Sequence, residues 1–170
     1  MPLALATLFA LALQGCMEAP APAAQPAAPA QARAPAAATV SPAPAALPLV
    51  VVHKDPYCGC CNGWIEHMRQ AGFPVEARNE NDMGPIKAKA GVPLGKGSCH
   101  TAMVDGYFVE GHVPAEDVKR LLAERPDALG LVLPGMPAGS PGMEMPDGRT
   151  QPYTVELVAR DGSTTPFARH

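Results

Sequence analysis

Runs of apolar residues divide the chain from Leu47 onward into predicted strands and helices. The stretch LPLVVVHKD is continuous and β-branched, which is typical of a strand buried on both faces. The stretch NGWIEHMRQAGF places Trp64, Ile65 and Met68 on one helical stripe and reaches a stop at Gly72. A folded domain is therefore expected to begin with a strand followed at once by a helix.

The remaining pattern continues this alternation. PVEARN predicts a short strand, MGPIKAKAGVP a short helix, and CHTAMVDGYFVEGHV two strands joined at Asp105 and Gly106. PAEDVKRLLAERP predicts a helix that begins at Pro114 and turns an apolar stripe to the core, made of Val118, Leu121 and Leu122. YTVELVAR adds one strand near the end. The predicted order is β-α-β-α-β-β-α followed by an extension.

The first sixteen residues read as an export signal. Leu3 to Leu13 is an apolar run too short to span a membrane and about the length of a signal-peptide core. LQGC resembles the signal box of bacterial lipoproteins, in which Cys16 would be lipidated and become the mature N-terminus. An ordinary export signal with a stray cysteine, or a misplaced start codon, is the alternative. We predict a signal peptide over 1–16 with Cys16 as the lipidation site.

Composition separates a tether from the folded domain. Residues 17–46 are almost entirely Ala and Pro, so they lack a core and favour extended segments, whereas 47–170 carry the apolar pattern. The net charge is −3, and no basic run indicates nucleic acid as a partner. The plan is an anchor, a spacer and one domain, with membrane contact through the lipid only.

Three cysteines crowd the predicted junction of the first strand and helix, in YCGCC. Cys58 and Cys61 keep the spacing of the thioredoxin site WCGPC, which YCGCC resembles, and Cys60 stands where that site has proline. A helix start stabilises thiolates through its free N–H groups and its dipole. The resemblance to thioredoxin also implies that Cys99 and His100 lie beside this group.

Three kinds of chemistry compete for these thiols. Cys58 and Cys61 suit a thiol–disulfide oxidoreductase, although a third thiol would compete for the same disulfide. A zinc site, as in an interaction module, usually takes ligands from two separated pairs, which the adjacent Cys60 and Cys61 fit poorly. Soft Cu(I) fits soft thiolates, and bridging sulfurs would hold more than one ion.

A loop rich in Met, Gly and Pro, LVLPGMPAGSPGMEMPDG, adds a second source of soft ligands. Its Met136, Met143 and Met145 show no helical spacing, and the Gly and Pro residues forbid a helix. Thioethers do not ionise and bind Cu(I). The alternative is a Met-rich surface that packs over the core.

HKDPYCGCCNGW, the later SCHTAMVDGYFVEGHVPAEDV and the LPGMPAGSPGME loop resemble the CopG-type family of bacterial periplasmic copper-resistance proteins. The resemblance covers Leu49 to Arg160. It implies an α/β, thioredoxin-like fold with a central mixed sheet, helices on both faces, the Met-rich loop and an extra strand. It also implies a cysteine-bridged multinuclear Cu(I) site, whose ligands would be Cys58, Cys60, Cys61, Cys99 and His100.

This resemblance implies a periplasmic protein of copper resistance that sequesters copper or converts it between Cu(I) and Cu(II), with other envelope copper-handling proteins as partners. Whether it turns over as a Cu(I)/Cu(II) oxidoreductase stays open at this point. Three further histidines are not expected to be metal ligands: His53 is interpreted as a polar strand end, His67 as a surface residue and His112 as a turn residue.

Overall fold

The computed structural model describes residues 46–170 of the 170-residue chain. The predicted signal peptide, its lipidation site Cys16 and the predicted tether up to residue 45 lie outside the described residues. The described part consists of three helices and seven strands, with these bounds: β1 Val50–Lys54, α1 Gly59–Gln70, β2 Val75–Asn79, α2 Gly84–Ala90, β3 His100–Val104, β4 Tyr107–Glu110, α3 Ala115–Glu124, β5 Ala128–Val132, β6 Thr154–Ala159 and β7 Thr164–Arg169.

All seven strands form one mixed sheet in the order β2-β1-β3-β4-β5-β6-β7. β1 runs parallel to β2, and β4 runs parallel to β5, whereas the other neighbouring pairs are antiparallel. The predicted turn at Asp105 and Gly106 is confirmed: both residues have positive φ and join the antiparallel β3 and β4.

The two faces of the sheet carry different apolar clusters. The larger cluster joins inward residues of β1 such as Val50 to Trp64 of α1 and Leu121 of α3. The smaller cluster contains Phe108 and has Ala90 at the end of α2 packed against it. Because successive side chains of a strand point to opposite faces, the first cluster takes Val109 and the second takes Phe108. Helices therefore cover both faces.

The structure corrects the predicted pattern at three places. β1 alternates between fully and partly buried side chains rather than being buried on both faces throughout. α1 begins at Gly59, three residues earlier than the apolar stripe indicated, so it includes the cysteine motif. Two strands, β5 and β7, were missed, and Leu131 and Val132, which were assigned to the Met-rich loop, belong to β5. None of the helices within residues 46–170 has the length and apolar character needed to span a bilayer.

Candidate metal-binding site

The cysteine motif occupies the junction of β1 and α1. Asp55 organises the connecting turn: its carboxylate accepts the N–H of Tyr57 at 2.7 Å, and its carbonyl accepts the N–H of Cys58 at 3.1 Å. Cys58 is the N-cap residue of α1 in extended conformation, and Cys60 and Cys61 lie in the first helical turn. The first turn of α1 contains no acidic residue, so its positive end faces the thiols without a competing carboxylate.

Four sulfur atoms meet at this helix start. The Sγ atoms of Cys58, Cys60, Cys61 and Cys99 lie within 4.8 Å of one another. Cys99 reaches the group from the turn before β3, where its sulfur is 3.8 Å from that of Cys60. Cys58 and Cys61 form a disulfide, while Cys60 and Cys99 are free thiols. The structure thus brings together the four cysteines that the sequence placed in one site and has one pair oxidised.

His112 is a further residue of this site. Its Nε2 lies 2.9 Å from the Cys99 sulfur, and its Nδ1 lies 2.8 Å from the carbonyl oxygen of Pro141. Because a carbonyl only accepts, Nδ1 carries the proton, and the neutral ring turns the lone pair of Nε2 toward the sulfur. A histidine that ligates a metal commonly has its other ring nitrogen fixed in this way.

His100 lies behind the sulfurs and is fully buried. Its Nδ1 is 3.5 Å from the Cys99 sulfur, and its ring centroid lies 4.5 Å from that of Trp64 and 5.1 Å from that of His112. Its Nε2 is a buried polar atom without a hydrogen-bond partner in the described part of the chain. Since buried polar atoms almost always have partners, this nitrogen marks the site as incomplete by itself.

Burial controls the protonation of the site. Burial, followed by negative charge on Cys60, raises the pKa of Cys99 to about 12, so its thiol keeps its proton until a cation replaces it. Burial also lowers the pKa of His112 and lowers that of His100 well below 6.5. Both imidazoles are therefore neutral at pH 7, which is the form that ligates metals.

The Met-rich loop contacts the sulfurs through one of its three methionines. The Sδ atom of Met136 lies 3.9 Å from the Cys60 sulfur, and the Met136 side chain is half-exposed. Neither Met143 nor Met145 makes a sulfur hydrogen-bond contact within residues 46–170. The structure thus separates Met136 from the other two loop methionines.

Two glycines allow the loop to lie against α1. A Cβ atom on Gly142 would lie 2.6 Å from the Cys60 carbonyl oxygen, and one on Gly63 would lie 2.9 Å from the Gly142 Cα atom. Gly142 also has a φ of +82°, which favours glycine. This close contact holds the neighbouring Pro141 carbonyl where it meets His112.

The other sequence candidates lie outside the sulfur group. His53 pairs with Glu80 at 2.7 Å, and His67 accepts the N–H of Ala115 at 3.0 Å, so it ties α1 to the start of α3. Trp64 is buried in the core, as expected, and donates its indole N–H to the Val113 carbonyl at 2.8 Å.

Sequence reasoning missed His112, because it was interpreted as a turn histidine. The surrounding residues, Gly111 to Pro114, are typical of the start of a helix. The contact with Cys99 arises because β3 and β4 are antiparallel neighbours, which brings the residues just outside their paired ends together. The register of the predicted hairpin, continued beyond Thr101 and Glu110, places Cys99 opposite His112.

The donor set suits a soft metal ion. With the disulfide closed, Cys60, Cys99 and His112 offer two thiols and an imidazole. Reduction of the disulfide by two electrons and two protons would add the thiols of Cys58 and Cys61. Thiolate, imidazole and thioether are ligands that select Cu(I) and, for the first two, also zinc.

The folded domain is similar to a family model and to solved structures. A family model described as a protein of unknown function, DUF411, matches residues 96–143. Two solved structures, of a copper resistance protein CopG in forms 1 and 2, share 48% and 47% sequence identity with the chain. Each match covers 73% of this chain and 98% of the other, with a TM-score of 0.69.

A shorter match involves a much larger protein. A probable phosphoenolpyruvate synthase from Pyrococcus abyssi (strain GE5 / Orsay) is 36% identical over 63 residues. That match covers 36% of this chain, and the chain spans only 8% of the length of that curated relative.

Proposed function

The chain belongs to the same family as the copper resistance protein CopG, and from that premise we propose that it is an envelope copper-binding protein. It acts in copper resistance or homeostasis by sequestering copper or by converting it between Cu(I) and Cu(II). Copper is its cargo or substrate. The observation that carries the proposal is the meeting of four cysteine sulfurs and two neutral histidines at one helix start.

The proposed site is a multinuclear Cu(I) site bridged by cysteine sulfurs. Cys58, Cys60, Cys61 and Cys99 are its ligands once the disulfide is reduced. Four thiolates that each bound one ion would saturate at one or two copper ions, whereas bridging lets each sulfur serve two. The positive end of α1 stabilises the thiolates of Cys58, Cys60 and Cys61 once they form.

The histidines complete the site from the side of β3 and β4. His100 is the expected further ligand, and its Nδ1, 3.5 Å from the Cys99 sulfur, supports this role. His112 joins it because its lone pair already faces the Cys99 sulfur and its other nitrogen is fixed by Pro141.

The Met-rich loop assists copper entry but does not supply the main ligands of the site. Met136 stands at the exposed edge of the sulfurs, so a thioether can receive an arriving Cu(I) and pass it to Cys60. Met143 and Met145 act as weaker, exchangeable ligands farther along the loop.

The fold and location follow the same family. The order β2-β1-β3-β4 with α1 after β1 and α3 after β4 supports a thioredoxin-like core, to which β5, β6 and β7 are an extension. We place the domain in the periplasm, tethered by lipid on Cys16 through residues 17–46. Cell fractionation would test the anchor: wild type should follow the membranes and Cys16→Ser the soluble fraction, and equal solubility of both would contradict it.

Copper loading of the reduced protein tests the function directly. Full-length protein, reduced and purified without oxygen, should bind more than one Cu(I) per chain in a titration against a Cu(I) chelator. The same protein with its disulfide closed should bind fewer ions, because two sulfurs are withdrawn. A single zinc with no preference for copper would instead support a zinc-binding interaction module.

Thiol–disulfide exchange is the second candidate function, and the Cys58–Cys61 disulfide favours it. The two sulfurs are separated by two residues at a helix start, where reduced dithiols transfer electrons to disulfides. A metal-free protein that reduces a model disulfide at a rate independent of Cys60 would support this function over copper handling.

A further inference from the structure

Lys54 is a buried lysine that has no carboxylate partner within residues 46–170. The residue is 4% exposed at the end of β1, on the face that carries Val50 and Val52. None of the ion pairs found in residues 46–170 includes it. Lysines are almost never this buried unless an opposite charge accompanies them, because desolvation of the ammonium is costly. The described residues thus leave a buried positive charge in need of a counter-charge.

The contacts of Lys54 locate its ammonium beside the cysteine motif. Its Nζ donates to the Asp55 carbonyl oxygen at 3.0 Å, and the same oxygen accepts the N–H of Cys58 at 3.1 Å. Two donors that share one acceptor lie close to each other. In the β1–β3 register Lys54 stands opposite His100, which follows Cys99. The ammonium therefore lies beside the start of α1, and the Lys54 backbone lies opposite the strand that follows Cys99.

The carboxylate of the adjoining residue, Asp55, forms no ion pair with Lys54 among residues 46–170. The Asp55 side chain accepts the N–H of Tyr57 instead of pairing with Lys54. The first turn of α1 offers no acidic residue either. The cysteine thiols at the start of α1 add new negative charge near Lys54 when the Cys58–Cys61 disulfide is reduced.

We propose that Lys54 is the electrostatic counterpart of the reduced cysteine group and sets how readily the Cys58–Cys61 disulfide is reduced. A nearby ammonium stabilises the thiolate that reduction creates and does nothing comparable for the neutral disulfide. It acts through the cysteines, as a positioning charge, and touches no substrate. A protein with this charge is a stronger oxidant than the same protein without it.

This role and a structural role predict opposite effects of replacing Lys54 on the stability of the disulfide form. A lysine retained for stability would be expected to make ion pairs, and its loss would weaken the fold. An unpaired buried ammonium destabilises the disulfide form, so replacing it by an apolar side chain of similar length should leave that form as stable or make it more stable. Stability and reduction potential should therefore respond differently to one substitution.

The test is the equilibrium of the full-length, metal-free protein with glutathione: one protein disulfide and two glutathione thiols give one protein dithiol and one glutathione disulfide. Lys54→Met should lower the equilibrium constant for reduction about tenfold, equivalent to about 30 mV. Lys54→Arg keeps the charge and should stay within about twofold of wild type. Lys89→Met, the same change at an exposed position of α2, is the matched control and should have no effect.

Thermal unfolding of the disulfide form completes the test. Lys54→Met should unfold at the wild-type temperature or above it. An unchanged glutathione equilibrium in Lys54→Met would overturn the proposal, as would an equal shift in Lys54→Arg. The disulfide–dithiol equilibrium is measured without copper. Neither result therefore bears on the proposed copper function, which the Cu(I) titration tests separately.

Discussion

Two buried polar centres lie on the same pair of strands and differ in how completely their atoms are partnered. The carboxylate centre is Glu110 with Lys87, Thr101 and the N–H of Ser98. Glu110 is fully buried; Ser98 N–H donates to it at 2.6 Å, Thr101 at 2.7 Å, and Lys87 pairs with it. The sulfur centre is the four cysteines with His100 and His112, and there one buried nitrogen has no partner in the described residues.

The difference separates a structural centre from a binding centre. A buried charge whose oxygens are all partnered fixes the local backbone, here the turn that carries Cys99. A centre that has two free thiols, and whose buried nitrogen and neighbouring lysine have no partner among residues 46–170, is expected to be completed by a ligand. The first centre should respond to mutation through stability, and the second through ligand affinity.

The largest expected effect is on the carboxylate centre. Glu110→Ala removes one partner of a buried ion pair and should lower the free energy of unfolding by about 3–5 kcal/mol. Denaturant unfolding of the metal-free protein measures it. Glu124→Ala, which removes an exposed glutamate paired with Arg120, is the control and should cost less than about 1 kcal/mol. If both variants lost a similar free energy of unfolding, Glu110 would have no special structural role.

The second effect is a pH dependence from the sulfur centre. Burial depresses the folded-state pKa of His100 and His112 below 6.5, so below that pH the unfolded chain binds protons that the folded chain does not. Stability is therefore present above pH 6.5 and lost as the pH falls below it, with an upper limit of about 1.4 kcal/mol per pH unit for each histidine.

Unfolding of the metal-free protein between pH 7 and pH 5.5 checks this slope. His112→Gln should make the slope shallower, because it removes one of the two buried imidazoles. A stability that stays level over this range would mean that the histidines are protonated in the folded protein.

The third effect concerns affinity. His112→Gln should weaken Cu(I) binding about ten- to a hundredfold, the range that loss of a group supporting a metal site usually costs. His53→Gln is the matched control, because His53 pairs with Glu80 outside the sulfur centre. Competition with a Cu(I) chelator gives the affinity. Equal affinity in both variants would remove His112 from the site.

The smallest effect is kinetic. Changing Met136, Met143 and Met145 together to Leu should slow copper uptake more than it lowers the number of ions bound. Met136→Leu by itself should reproduce most of this slowing, because only its sulfur contacts Cys60, whereas Met143→Leu with Met145→Leu should not. Stopped-flow mixing with a Cu(I) donor measures the rate. If the rate of copper uptake were unchanged in the triple variant, the loop would have only a packing role.

Sequence patterns predicted the elements whose apolar residues repeat locally. The stripe of α1 and the turn between β3 and β4 were confirmed for this reason. β5 was missed because Gly130 interrupts its apolar run, although a Cβ there would lie 2.0 Å from the Phe108 carbonyl oxygen of the neighbouring strand. β7 was missed because it carries Pro166 and polar threonines and pairs only with β6.

The site was predictable to the extent that its chemistry is local. Three thiols in one motif are visible in the sequence, and the resemblance to known families supplied Cys99. His112 and Lys54 depend on tertiary contacts, and each looks ordinary in its own segment. What identifies His112 is its hydrogen bond to Pro141, and what identifies Lys54 is that none of the ion pairs within residues 46–170 includes it.

X-ray absorption of the Cu(I)-loaded protein tests the central claim, a cysteine-bridged copper group, most directly. Wild type should show sulfur-dominated coordination and a short copper–copper vector, since bridging sulfurs hold two ions close together. Cys60→Ser should lose that vector and bind fewer ions while still forming the Cys58–Cys61 disulfide. If loaded wild type shows no copper–copper vector, or if Cys60→Ser keeps full loading, the claim is wrong and thiol–disulfide exchange by Cys58 and Cys61 becomes the better account.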